Sequence, residues 1–220
     1  MKEELLFCPL GGSGEIGMNM NLFAYGKPEN QKWIIVDIGV TFTDDSYPGI
    51  DLIYPDPGFI IEKKNDLLGI VLTHGHEDHI GAVAYLYDRL ECPLYASEFT
   101  AEILRLKLNE NGFKHVHINI LDPREDVKIG NFTIMPLPVA HSIPNSMSIF
   151  VQTAYGNVLH SGDWNLDPDP VIGNQTDPKD FKALKDKGVL AYIGDSTNSE
   201  FDWSVRKYKF GKFRCESAVN

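Results

Sequence analysis

The sequence predicts a layered domain of class α/β (α+β), with mixed strands and helices on their outer faces. Two patterns predict it. Short apolar runs bounded by Gly, Pro and Asn recur along most of the chain, as strands do. Between them stand segments with helical period. The length, 220 residues, suits one domain, or one domain plus a fragment.

The elements follow in order. Residues 5–10 are a short apolar strand, closed by the turn Gly11-Gly12-Ser13-Gly14. Residues 18–25 alternate apolar and polar, which predicts a half-buried strand. Residues 33–36 are a buried strand ending at Asp37, and the Pro-, Asp- and Gly-rich stretch 44–57 is a surface loop. Residues 67–73 form a β-branched strand that stops at His74. Beyond it Ile80, Val83, Leu86, Tyr87 and Leu90 share one helical face. Residues 93–96 are a strand, and Ser97 caps a helix through residue 108. Strands are then expected at 115–121, 126–129, 132–139, 147–154 and 158–161, with turns at Gly130-Asn131 and Gly156-Asn157. A polar helix at 180–187 and a buried strand at 189–193 complete the series.

Composition narrows the function. The hydrophobic share is 43%, ordinary for a globular protein. The net charge of -11 gives no electrostatic advertisement of a nucleic-acid binder. Cys8, Cys92 and Cys215 are odd in number and scattered, as in a reducing cytoplasm. The opening Met1-Lys2-Glu3-Glu4 is acidic and unlike a signal peptide. No apolar run approaches the ~20 residues a membrane span needs. Residues 201–220 carry five Lys or Arg against two acids after an acidic body, and read as a tail foreign to the domain.

The chemistry concentrates in His74-Gly75-His76-Glu77-Asp78-His79. Histidines two apart on an extended segment project to one side. Asp78 and His79, where the chain turns helical, can address a second position beside the first. Imidazole and carboxylate ligands suit Zn²⁺, and Mn²⁺ accepts the same donors. His141 and Asp163 each follow a strand, where sites in layered folds gather. Together they complete a pair of divalent ions: His74, His76 and His141 on one, Asp78 and His79 on the other, Asp163 bridging. Such a pair lowers the pKa of a shared water, which then attacks carbon or phosphorus in line. Asp37 and Asp195 each end a buried strand and are candidate carboxylates behind the ligands. Gly12-Ser13-Gly14-Glu15-Ile16-Gly17 matches a dinucleotide fingerprint, but a strand-like segment follows it where a helix is required. His115, His117 and His160 read as structural.

These residues resemble a known family. The His74–His79 motif is similar to the hallmark of the metallo-β-lactamase superfamily, with Asp37, His141 and Asp163 in the order of its other motifs. The segment 11–19, the segment 49–56, Ala140-His141-Ser142-Ile143-Pro144 and Ser161-Gly162-Asp163-Trp164 resemble the ribonuclease J branch. Asp195-Ser196-Thr197-Asn198 resembles the first motif of the β-CASP subgroup, which acts on nucleic acids. The resemblance implies an αββα sandwich, incomplete here, spanning residues 1–199, with residues 200–220 unrelated or frame-shifted. It implies a metal-dependent, cytoplasmic 5′-to-3′ exoribonuclease with endonuclease activity, RNA as partner and a homo-oligomeric state. Asp78, Asp163 and Asp195 would carry catalysis. The family chain is longer, so the β-CASP domain and the last histidine ligand would come from segments absent here, and this chain alone would be weak or inactive. The rival readings are a thioester or lactone hydrolase of the same fold, and a metal-binding fragment without catalysis.

Overall fold

The computed structural model describes residues 2–43 and 47–197. In chain order the elements are β1 (Glu4–Gly11), β2 (Met20–Gly26), β3 (Lys32–Val36), β4 (Thr41–Phe42), β5 (Leu52–Ile53), α1 (Gly58–Ile61), β6 (Leu67–Leu72), α2 (Glu77–Ile80), α3 (Val83–Leu90), β7 (Leu94–Ala96), α4 (Glu98–Glu110), β8 (Ile118–Ile120), β9 (Val127–Ile129), β10 (Phe132–Pro138), β11 (Met147–Gln152), β12 (Asn157–His160), α5 (Pro178–Lys187) and β13 (Ala191–Ile193). One sheet runs β1-β2-β3-β6-β7-β8 and the other β13-β12-β11-β10-β9.

Alternation along the strands sorts the core into three apolar layers. Met20, Leu22, Trp33, Ile35, Ile70 and Leu72 leave the first sheet on one side and meet Ile60, Leu86, Leu90, Leu104 and Leu108 of the helices. Their strand neighbours Phe23, Ile34, Val36 and Val71 point the other way and meet Ile134, Ile149, Val151 and Val158 of the second sheet. Phe150 and Leu159 leave the far side of that sheet and pack on Leu184 and Phe181 of α5. Three interfaces make four layers, helix-sheet-sheet-helix, which is the expected αββα sandwich.

Several local expectations change in the tertiary setting. Strand β2 is buried along its whole length, not half-buried, because helices cover one face and the second sheet the other. The helix expected from Ile80 onward is two pieces. The amide of Ala82 leaves the helical ladder to donate to the Ile38 carbonyl of a crossing loop. Ser97 stands at the start of α4, but its hydroxyl donates to Thr100 Oγ1 and caps no backbone amide. The strand expected at 115–121 shortens to β8, since His115 is left-handed (φ 61°) and breaks the extended run. Helix α5 starts at Pro178, with the Asp177 carboxylate accepting from the Lys179 amide. Strand β13 is exposed, not buried: it is the outer strand of its sheet among the described residues. The stretch expected as loop at 44–57 contains β5, paired antiparallel to β4. Asn198 and the tail 200–220, including Cys215, lie outside the described residues. Among the described residues no helix is long and apolar enough to cross a membrane.

Strand order positions everything that follows. Strands β3 and β6 run parallel, as do β12 and β13. The carboxyl ends of β3, β6, β10, β12 and β13 lead directly to Asp37, His74, His141, Asp163 and Asp195.

Candidate metal centre

Past the end of β6 the chain bends at Gly75 and His76, the His76 backbone itself β-like, and then turns into α2. This brings His74 Nε2 to 3.1 Å from His76 Nδ1. His141 arrives from the other sheet, its Nε2 also 3.1 Å from His76 Nδ1. Two groups of ligand atoms result: His74, His76 and His141, and His74, His79 and Asp163. Asp163 reaches both. Its Oδ1 lies 3.3 Å from His79 Nε2 and its Oδ2 3.7 Å from His141 Nε2. Asp78 Oδ2 is 3.4 Å from His79 Nε2. Ligand atoms on a tetrahedral ion with ~2.0 Å bonds stand roughly 3.3 Å apart, so the donor set fits a small divalent cation.

The imidazoles are oriented from behind. Asp37, fully buried at the end of β3, accepts from the Thr73 amide and hydroxyl, each at 2.8 Å, and from His79 Nδ1 at 2.7 Å. Thr73 Oγ1 has one proton and gives it to Asp37. It therefore accepts from His74 Nδ1, 3.0 Å away. Both rings thus carry hydrogen on Nδ1 and turn Nε2 toward the cluster. Asn19 Nδ2 donates to the Asp78 carbonyl and holds the turn that carries Asp78 and His79.

Electrostatics agree with a cation site. Burial pushes the His74 imidazolium pKa far below its ordinary value, helped by the charge of His79. Burial also lowers His141. Burial opposes charge on His79, but the Asp37 charge and the hydrogen bonds that His79 donates to Asp163, Asp37 and Asp78 outweigh it and raise its pKa. Burial would raise Asp163, yet the His79 hydrogen bond and neighbouring imidazoles hold it below the usual carboxylate range. Cation binding at His79 Nε2 therefore displaces a proton.

All six ligand candidates expected from the sequence, His74, His76, Asp78, His79, His141 and Asp163, come together here. Asp37 stands behind them. Asp195 does not join either group: it sits on the rim of the same cleft, about 600 Å³, where its Oδ1 accepts from the Thr197 amide and hydroxyl. His160 is structural. Its Nδ1 accepts from the Gly162 amide, its ring meets Phe23 edge-on, and burial pushes it down to about 4. His115 and His117 are exposed and remote from either group. The glycines 12–17 lead into β2 and not into a helix, which removes the dinucleotide reading. Sequence reasoning gave no role to Thr73 or Asn19. Thr73's position beside His74 and Asn19's place in the family-like segment 11–19 were the available signals.

Asp37→Asn is expected to weaken zinc binding about 10- to 100-fold, the usual cost of losing a partner behind a ligand. Competition against a chromophoric chelator measures it. Parent-like affinity in a folded Asp37→Asn protein would show that Asp37 orients nothing.

Residues 32–184 match the family model described as the beta-lactamase superfamily domain. Ribonuclease J of Sinorhizobium meliloti is 44% identical over 198 residues, covering 90% of this chain and 35% of that one. Ribonuclease J of Helicobacter pylori is 35% identical over 200 residues, covering 90% and 28%. The chain thus spans about a third of the length of these curated relatives. A crystal structure of a protein of unknown function from Enterococcus faecalis is 18% identical with a TM-score of 0.50, covering 74% of this chain and 44% of that one, and bears on fold alone.

Proposed function

The chain belongs to the beta-lactamase superfamily, and from that premise we propose that it is the metal-binding portion of a hydrolase of RNA phosphodiester bonds. The observation that carries the reading is Asp163, whose two oxygens face the two histidine groups separately. His74, His76 and His141 would hold one divalent ion, Asp78 and His79 the other, with Asp163 between them. Zinc suits the imidazole-rich set best, and manganese is the second choice. When bound, such a pair supplies an activated water and positive charge at the reacting phosphate.

The protein's own part is positioning. Asp37 and Thr73 fix which nitrogen of His74 and His79 faces the cleft. Asp195 adds a carboxylate at the rim of the cleft. The similarity to proteins named Ribonuclease J favours RNA over a thioester or lactone. In this reading residues 1–199 are the amino-terminal part of the catalytic domain and residues 200–220 do not belong to it. The whole enzyme is a cytoplasmic, homo-oligomeric 5′-to-3′ exoribonuclease with endonuclease activity, and needs chain beyond these residues to work.

A chimera tests this. Residues 1–197 replace the corresponding part of the Sinorhizobium meliloti Ribonuclease J. The chimera is expected to degrade 5′-monophosphorylated RNA, while its His76→Ala form and the 220-residue chain alone are expected to show little activity. A folded, zinc-loaded chimera that leaves RNA intact sinks the proposal.

A further inference from the structure

Ser161 has no part in the reading above, yet hydrogen bonds converge on it. It follows β12 and is 3% exposed. Its carbonyl accepts from Ser148 Oγ at 2.6 Å, and its amide donates to the Ile193 carbonyl at 2.9 Å. Its hydroxyl donates to the Gly162 carbonyl at 2.7 Å and accepts from the Asp195 amide at 2.8 Å. A hydroxyl has one proton. Giving that proton to Gly162 leaves its lone pairs for Asp195.

The Gly162 carbonyl belongs to the peptide that leads into Asp163. That peptide has little freedom elsewhere. Gly162 is left-handed (φ 56°), its amide is held by His160 Nδ1, and a Cβ there would press on the Met147 carbonyl at 2.9 Å and on Thr73 Cβ at 3.1 Å. Its carbonyl is held from the side of Asp195. We infer that Ser161 is a positioning residue: its hydroxyl couples the segment beginning at Asp195 to the peptide that aims Asp163 at both histidine groups. The inference rests on the reading of Asp163 as a ligand of divalent ions. Its consequence is that the metal centre and the chain leaving β13 respond to one another through the Ser161 hydroxyl.

Amide hydrogen exchange of the ¹⁵N-labelled chain, with and without zinc, tests the coupling. Zinc is expected to slow exchange of the Asp195 amide about tenfold, because fixing Asp163 fixes Gly162 and Ser161. Ser161→Ala is expected to lose this zinc-dependent slowing while the imidazole resonances of His74, His76 and His141 still shift with zinc. Ser148→Ala removes a hydroxyl equally buried that bonds the same residue without touching Asp195, and is expected to keep the slowing. The inference is overturned if Asp195 ignores zinc while the parent imidazoles respond, if Ser161→Ala keeps the effect, or if Ser148→Ala loses it equally. Parent imidazoles that ignore zinc would overturn the metal reading itself.

Discussion

His74→Ala is expected to empty the divalent-cation position proposed for His74, His76 and His141 while leaving the fold intact. With its Nδ1 bonded to Thr73, His74 offers the cluster Nε2 alone, one donor for one ion, and its loss leaves that position a donor short. The affinity should fall by more than the ~100-fold that losing an outer partner costs. The fold should survive because burial keeps His74 neutral, so its removal strands no buried charge. Thr73 loses one donor but keeps its bond to Asp37. Metal analysis after dialysis, beside circular dichroism, measures both halves of the expectation. His76→Ala, in the same group, is expected to empty the same position. Equal metal content in parent and His74→Ala would mean that the ligands are not these.

Gly39→Ala is expected to damage the fold itself. Gly39 follows Asp37 in a loop laced to α2: the Ile38 amide donates to His79 O, Val40 to Glu77 O, and Gly39 to Asn19 O, while Asn19 donates to Asp78 O. A Cβ at Gly39 would overlap the Asp78 carbonyl, which is backbone and cannot swing aside. Relief requires separating the loop from α2. Several hydrogen bonds of roughly 1 kcal/mol each are then lost or stretched, for a cost of about 3 kcal/mol or more. In a chain of this size that lowers Tm by about 10 °C, and zinc affinity falls because Asp78 and His79 move. Gly14→Ala is the control. Gly14 is left-handed (φ 77°), but nothing lies within 4 Å of an added Cβ, so only a backbone strain of about 1 kcal/mol applies. Gly39→Ala melting within ~2 °C of Gly14→Ala would refute the close approach.

What could be read in the sequence divides along a physical line. The His74–His79 motif was legible because its spacing is local: a strand end bending into a helical turn gathers His74, His76, Asp78 and His79 within six residues. His141, Asp163, Asp37 and Asp195 were legible as strand-end residues, since strands announce themselves by apolar runs and stop at polar residues.

Other features depended on packing partners that no local pattern encodes. Complete burial of β2 comes from the two layers closing over it, and exposure of β13 from its place at the sheet edge. The break between α2 and α3 comes from a loop much earlier in the chain, whose Ile38 carbonyl captures the Ala82 amide. Thr73, Asn19, Gly39 and Ser161 are ordinary residues in the sequence, and they matter through single atoms brought close by the fold. The sequence by itself thus determined the layered architecture and the clustering of imidazoles and carboxylates, because periodicity and short-range spacing are properties of a few consecutive residues. Only the tertiary structure decided that Asp163 spans both histidine groups and that Asp37 and Thr73 set the imidazole tautomers. Those relations join atoms far apart in the chain, and they exist only once parallel strands end side by side.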